Sequence, residues 1–320
     1  MLAIKSVFIV FIILFTKSII FALPEGVIVD KLKMHVETLS SEIGERNAYD
    51  FESLERARKY ITDKFKEYGY CAAYEEYNID HIPDKKFYNI IAEKKGEAKH
   101  NEVIIIGAHY DSCPGTVGAD DNATGVSMLL ELARVLNKIK FSRTIKFIAF
   151  VNEEPPFFKT EHMGSFIYAR GAKRRKEKIV YMFALESIGY YVEEKNSQHY
   201  PPGLSFFYPD KGNFIAFVSN LGGIFSLKKC ANIFRRHSTL PAEVLAAPAI
   251  LSGVDFSDHW SFWQHNYPGI MITDTAFYRN PYYHTIMDTP ETVNYRKLAE
   301  LFEGLKQVLI ELSGKVESKK

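Results

Sequence analysis

Apolar residues recur at steps of three and four near the start of the chain: Val29, Leu32, Val36, Leu39 and Ile43, then Leu54, Ala57, Ile61 and Phe65. That spacing puts each set on one face of a helix. The pattern then changes. The runs YNIIAE (Tyr88–Glu93), VIIIGAH (Val103–His109), TIKFIAFV (Thr144–Val151), IVYMFAL (Ile179–Leu185) and GIMIT (Gly269–Thr273) are short, β-branched and almost continuously apolar. Strands buried on both faces read this way, because neither side of the sheet meets water. Helical periodicity returns over Ala123–Asn137, Gly164–Lys173 and Asn213–Arg235. A last helix is expected over Tyr295–Leu312, with Leu298, Leu301, Phe302, Leu305, Val308, Leu309 and Leu312 on its inner face. Strands alternating with helices predict an α/β fold whose mixed, mainly parallel central sheet is sandwiched between helices. No internal repeat or low-complexity linker interrupts it, so a single domain over residues 25–316 is expected.

Composition narrows the partners. Of 320 residues, 47% are hydrophobic and 25% charged, an ordinary globular balance. Forty basic against 39 acidic residues leave a formal net charge of +1, and no basic run is interleaved with aromatics. Nucleic acid is therefore not an expected partner. The run KRRKEK (Lys173–Lys178) reads as a solvated helix end. Residues 1–22 stand apart: Lys5 precedes VFIVFIILF (Val7–Phe15), and a second apolar stretch ends at Ala22. This is the pattern of a secretory signal with a small residue at its cleavage point. The alternative is an uncleaved membrane anchor, but Lys17 interrupts the stretch, and a mid-membrane Lys costs roughly 2.5–3.5 kcal/mol. The body of the protein is thus expected to be exported, periplasmic or secreted, touching a membrane only through this segment if it is retained. Cys71, Cys113 and Cys230 form an odd set without metal-type spacing. One disulfide of unassigned pairing would fit an oxidising compartment. Cys113, four residues after His109, reads as a small packed residue near the site rather than a ligand.

The candidate chemistry lies just after the strands. His109 and Asp111 end VIIIGA, Glu153 and Glu154 follow FIAFVN, Glu186 follows YMFAL, and His284 lies in the loop after GIMITDT. Asp120 and Asp121 lie in the loop that opens the helix near Ala123. In open α/β sheets ligands bind outside the carboxyl ends of the strands. A solvated loop would explain any one of these residues, but not all of them on one rim. Two imidazoles and several carboxylates, with no thiolate among them, suit zinc in a catalytic rather than a structural site. A carboxylate such as Asp121 can bridge two ions, each then taking one His and one further carboxylate. Two metals about 3.5–4 Å apart activate water and polarise a carbonyl together, as amide hydrolysis requires.

The segments GAHYDS (Gly107–Ser112), GADDNATG (Gly118–Gly125), NEE (Asn152–Glu154) with a later MGS, and YHTIMDTPE (Tyr283–Glu291) resemble the co-catalytic zinc exopeptidases, a family of leucyl aminopeptidases, glutamate carboxypeptidases and, more distantly, glutaminyl cyclases. The resemblance spans roughly Tyr88 to Leu312. It implies two zinc ions, with His109 on one, Asp121 bridging, and Glu154 and His284 on the other. It implies Glu153 as the general base and Asp111 as the carboxylate that orients His109. Many members carry Asp where Glu186 stands; Glu offers the same chemistry with one more methylene and is kept as a ligand. The insertion PPFFKTEHM (Pro155–Met163) before Gly164 and Ser165 is reminiscent of the glutaminyl cyclases and lies where it can shape specificity.

Weaker candidates have competing readings. Tyr283 is placed to stabilise an oxyanion through its hydroxyl, with packing in an aromatic loop as the alternative. Ser257 or Asp258 reads as a helix cap. His259 reads as a supporting residue and His162 as solvent-facing. Asp288 should support His284 or help start the last helix, and Asn122, though within a sequon, reads as a turn residue. The function expected is an aminopeptidase acting on peptides by Glu-assisted water attack. The alternatives are a single-zinc glutaminyl cyclase, a carboxypeptidase of the same family, and a non-catalytic interaction domain on this fold.

Overall fold

The computed structural model describes residues 25–316; the signal segment expected over residues 1–22 lies outside them. Helix α1 (Glu25–Glu37) runs into a wide turn at Thr38–Ile43, and α2 (Phe51–Glu67) follows. Asp50 starts α2 by accepting the Ser53 amide at 3.2 Å. The hairpin β1 (Ala73–Ile79) and β2 (Ile82–Lys94) comes next, then β3 (Lys99–His109), α3 (Gly125–Leu136), β4 (Arg143–Phe150), α4 (Gly164–Arg174) and β5 (Lys178–Glu186). The second half holds β6 (Ile215–Ser219), α5 (Ile224–His237), β7 (Ala242–Ala246), α6 (His259–Gln264), β8 (Ile270–Thr273) and α7 (Tyr295–Ser313). The eight strands form one sheet in the order β1-β2-β4-β3-β5-β8-β6-β7. Strands β4, β3, β5 and β8 are mutually parallel, so their carboxyl ends share one edge.

The apolar runs are continuous because the central strands have a core on each face. Ile104, Ile106, Phe147 and Ala149 pack into the larger cluster with α1, α3 and α7, while their neighbours Ile105, Ile148 and Phe150 pack into a second cluster with Tyr168 and Phe262. This is the period-2 alternation of a strand with both sides apolar. The KRRKEK run does end α4, with Lys173 to Lys176 exposed.

The helix expected over Asn213–Arg235 is corrected. Its first part is β6, all five residues buried, and the helix begins only at Ile224. IAFVS is aromatic and β-branched, and Leu221–Gly223 makes a 3-10 turn between the two elements. Among the described residues no helix is long and apolar enough to cross a membrane. The three cysteines are free thiols: Cys71 exposed, Cys113 partly buried and Cys230 buried in α5.

Candidate active site

The shared strand edge gathers every residue expected to hold metal. His109 ends β3, Glu186 ends β5, Glu153 and Glu154 follow β4, Asp121 precedes α3, and His284 lies beyond β8. His109 Nε2 is 3.2 Å from Asp121 Oδ1 and 3.3 Å from Glu186 Oε2. His284 Nε2 is 3.1 Å from Asp121 Oδ2 and 3.3 Å from Glu154 Oε2. Asp121 therefore divides its two oxygens between two His–carboxylate groups. Glu153 Oε2 stands 4.0 Å from His109 Nε2.

Charge balance makes these groups suited to a cation. His109 Nε2 and both Asp121 oxygens are buried without a hydrogen-bond partner among the described residues, a costly state unless something else satisfies them. Burial pushes Glu153 well above the usual carboxylate range, against the pull of His109 and with the push of Glu186 and Glu154. Burial and the charge of Asp121 push Glu154 up to about 8. Burial opposes charge on His109 too, yet Glu186, Asp111 and Asp121 outweigh it and hold the imidazole pKa high. So many buried carboxylates resist ionising together without a compensating ion. Nitrogen and oxygen donors in this arrangement could hold one or two divalent ions of the zinc class.

Neighbouring groups fix the donors. The Asp111 carboxylate accepts the Glu153 amide at 3.2 Å and the Glu154 amide at 3.0 Å, and lies 3.7 Å from His109 Nδ1. His109 Nδ1 also faces the Asp111 carbonyl at 3.2 Å. A proton on Nδ1 leaves the Nε2 lone pair free to coordinate. Asp288 is corrected: its carboxylate accepts the Asp120 amide at 2.8 Å and the Asp121 amide at 3.1 Å, holding the Asp121 turn rather than His284. The last helix is instead capped by Asn294, which accepts the Lys297 amide at 3.1 Å. Ser257 does not cap α6; its hydroxyl donates to Glu186 Oε2 at 2.8 Å. Asp258 occupies the N-cap position without a side-chain cap bond, fully buried. Asn122 is a buried turn residue, as expected, bonding Leu185 O at 2.7 Å and accepting the Gly125 amide at 3.1 Å. His259 bonds the Val254 carbonyl at 2.8 Å and meets Trp263 edge-on. His162 is half-buried against His81 and Phe157.

Beneath the site lies Arg46, fully buried. Its guanidinium donates to the carbonyls of Tyr110 at 2.8 Å, Val117 at 2.5 Å and Gly118 at 2.8 Å. Burial lowers its pKa to about 10, so it stays charged and offsets Asp111, Asp288 and Asp121. It ties the end of β3 to the turn that carries Asp121. Arg46→Met should lower unfolding free energy by about 3 kcal/mol or more, since several buried carbonyls would lose donors at about 1–3 kcal/mol each. Urea denaturation of the two proteins checks this, and equal midpoints would show that the clamp is not needed.

The cleft above these donors has an empty volume of about 560 Å³. Tyr283 borders it with its ring stacked on His284, centroids 3.9 Å apart. The inserted Pro155–Met163 loop forms part of its wall. Phe157 anchors that loop against Phe87, while Phe158 packs on Phe256 at the cleft. Lys159 bonds Asp255 at 2.7 Å, tying the loop to the segment before α6. Cys113, expected as a packed residue, has its sulfur within 4.8 Å of donor atoms of Glu154 and His284. A second hollow, with about 760 Å³ of empty space including its open mouth, adjoins the cleft and shares Glu186, Phe256, Phe277 and Tyr283 with it.

The pattern that defines Peptidase family M28 matches residues 89–309. The uncharacterized protein YfbL of Escherichia coli (strain K12) is 39% identical over 285 residues, covering 86% of this chain and 86% of its own. The structure of BSAP, a zinc aminopeptidase from Bacillus subtilis, superposes with a TM-score of 0.72 at 16% identity, over 91% of this chain and 96% of that one. The glutaminyl cyclase of Bacteroides thetaiotaomicron bound to N-acetylhistamine gives a TM-score of 0.65 at 18% identity, over 88% and 96%. At such identities the two structures establish the shared fold.

Proposed function

This chain belongs to Peptidase family M28 and is a metallo-exopeptidase, and from that premise we propose a zinc aminopeptidase that removes N-terminal residues from peptides. The observation that carries the reading is Asp121, with one oxygen toward His109 and Glu186 and the other toward His284 and Glu154. Two zinc ions would each take one such group and share Asp121. Bound there, zinc supplies Lewis acidity and makes water a nucleophile near neutral pH.

The chain's own residues do the rest. Glu153 lines the cleft beside the donors without joining either group. It takes the proton from the attacking water and delivers it to the leaving amine. Asp111 fixes the His109 ring and the Glu153 and Glu154 backbone, so the base and a donor are positioned by one carboxylate. The acidic rim attracts the α-ammonium of an unblocked peptide. Tyr283, beside His284, donates its hydroxyl to the developing oxyanion. Export to the periplasm or medium through residues 1–22 belongs to the same reading, with peptides as partners.

The Pro155–Met163 loop and the cyclase-like fold favour one second reading, a single-zinc glutaminyl cyclase. The paired donor groups speak for hydrolysis. Incubation with an unblocked peptide starting in Gln separates the two by mass spectrometry. Loss of a whole residue is expected, together with resistance of the N-acetylated peptide. Loss of ammonia alone, leaving the chain length intact, would overturn the aminopeptidase. Release of the C-terminal residue from the acetylated peptide would instead make the enzyme a carboxypeptidase.

A further inference from the structure

The cavity that adjoins the cleft runs along a single row of the sheet. Glu186 pairs with Thr273, Thr273 with Ala216, and Ala216 with Glu243. Directly paired residues point to the same face. Glu243 therefore projects on the side to which Glu186 presents its carboxylate, three strands away. At about 4.8 Å per strand, the two Cα positions are about 14 Å apart. All four residues of the row line the cavity, as do Met271, Val218 and Leu245 from the same strand faces. Ala216 and Thr273 are the small members of the row, and their size keeps its floor open.

The walls are mostly apolar, with Gln198, His199, Ser252 and Thr275 as polar members and a carboxylate at each end, Glu186 and Glu243. At the far end Glu243 is half-buried and shares the lining with Tyr200 and Tyr208, whose rings stack on each other with centroids 5.8 Å apart. The tyrosine hydroxyls are engaged, with Pro209 O at 2.6 Å and Val244 O at 2.9 Å, so neither donates to the carboxylate. The cation whose field reaches Glu243 is Arg235. Its guanidinium is bound to the Ala242 carbonyl at 3.1 and 2.5 Å rather than to Glu243. A carboxylate at the end of an apolar channel calls for a guest with an aliphatic stem and a cationic head, and among side chains only Arg and Lys have both. Aromatic rings beside the carboxylate add a face for the cation.

We propose that this enzyme selects peptides whose first residue is arginine or lysine, with Glu243 receiving the charged head at the far end of the channel. The inference rests on the aminopeptidase reading, since it places the first side chain of the substrate beyond Glu186. A leucine or phenylalanine side chain would fill the near part of the channel and leave Glu243 without a partner.

The test measures kcat/KM of the zinc-loaded protein on fluorogenic amides of arginine, its neutral isostere citrulline, lysine, norleucine, leucine and alanine. Arginine should exceed citrulline by about 10- to 100-fold, the range of a hydrogen bond to a charged group, and lysine should exceed norleucine similarly. Glu243→Gln should bring both ratios close to one, and Ala216→Met, which narrows the channel midway, should lower arginine relative to alanine amide. Cleavage of leucine with arginine no better than citrulline would overturn this inference and leave the aminopeptidase standing, as would ratios unmoved by Glu243→Gln. Cleavage of none of these amides would overturn the aminopeptidase reading and this inference with it.

Discussion

Replacing Glu153 by Gln should lower kcat about 10²–10⁴-fold, the usual contribution of a general base, while zinc content and thermal stability stay near those of the native protein. The amide keeps the volume of the carboxyl and its place in the cleft, so packing is little disturbed. What it loses is the ability to take a proton from water. Glu153 stands 4.0 Å from His109 Nε2, outside the closer contacts made by Asp121 and Glu186. Metal should therefore be retained. The neighbouring Glu154→Gln should behave differently, because Glu154 is 3.3 Å from His284 Nε2 and would lose half of its donor capacity. Elemental analysis beside steady-state kinetics checks both variants. A Glu153→Gln protein that loses zinc while Glu154→Gln keeps it would reverse the assignment of the two neighbours.

Asp121→Ala should have the broadest effect on metal. Its two oxygens face different imidazoles, so one truncation removes a donor from both groups. Zinc should fall from about two equivalents toward zero, and activity to background. Glu186→Leu is the informative companion. Glu186 faces only the His109 group, so about one equivalent should remain, whereas Glu186→Asp should keep both. Native zinc content in the Leu variant would show that Glu186 is a charge at the rim and no ligand. Prolonged chelation of the native protein should abolish activity, and zinc should restore it. Full activity in a metal-free preparation would remove the basis of the proposal.

The sheet centre was legible because burial on both faces forces long apolar runs, as in Ile104 to Ile106, where neighbours enter different cores. The outer strands were not. β1 is half-solvated and polar, β7 is five residues long, and β6 leads into a helix after a turn of three residues. The donors were legible for a similar reason: all but His284, which lies in the long loop beyond β8, stand at a strand end or just before a helix, and their motifs resemble a known family. The supports were not, because they depend on pairings that only the fold creates. Asp288 serves the Asp120 and Asp121 amides from 168 and 167 residues away. Ser257 reaches Glu186 across 71 residues. Glu243 gained meaning only from the register that aligns it with Glu186.

Arg46 grips main-chain oxygens at Tyr110, Val117 and Gly118, and a carbonyl is present whatever side chain the residue carries. The side chains of Cys113, Pro114 and Val117 take no part in that grip, and all three are at least partly exposed. Cys113 also borders Glu154 and His284. This stretch can therefore drift in sequence, in nature or under directed evolution, and change the wall of the cleft while the turn that carries Asp121 stays moored.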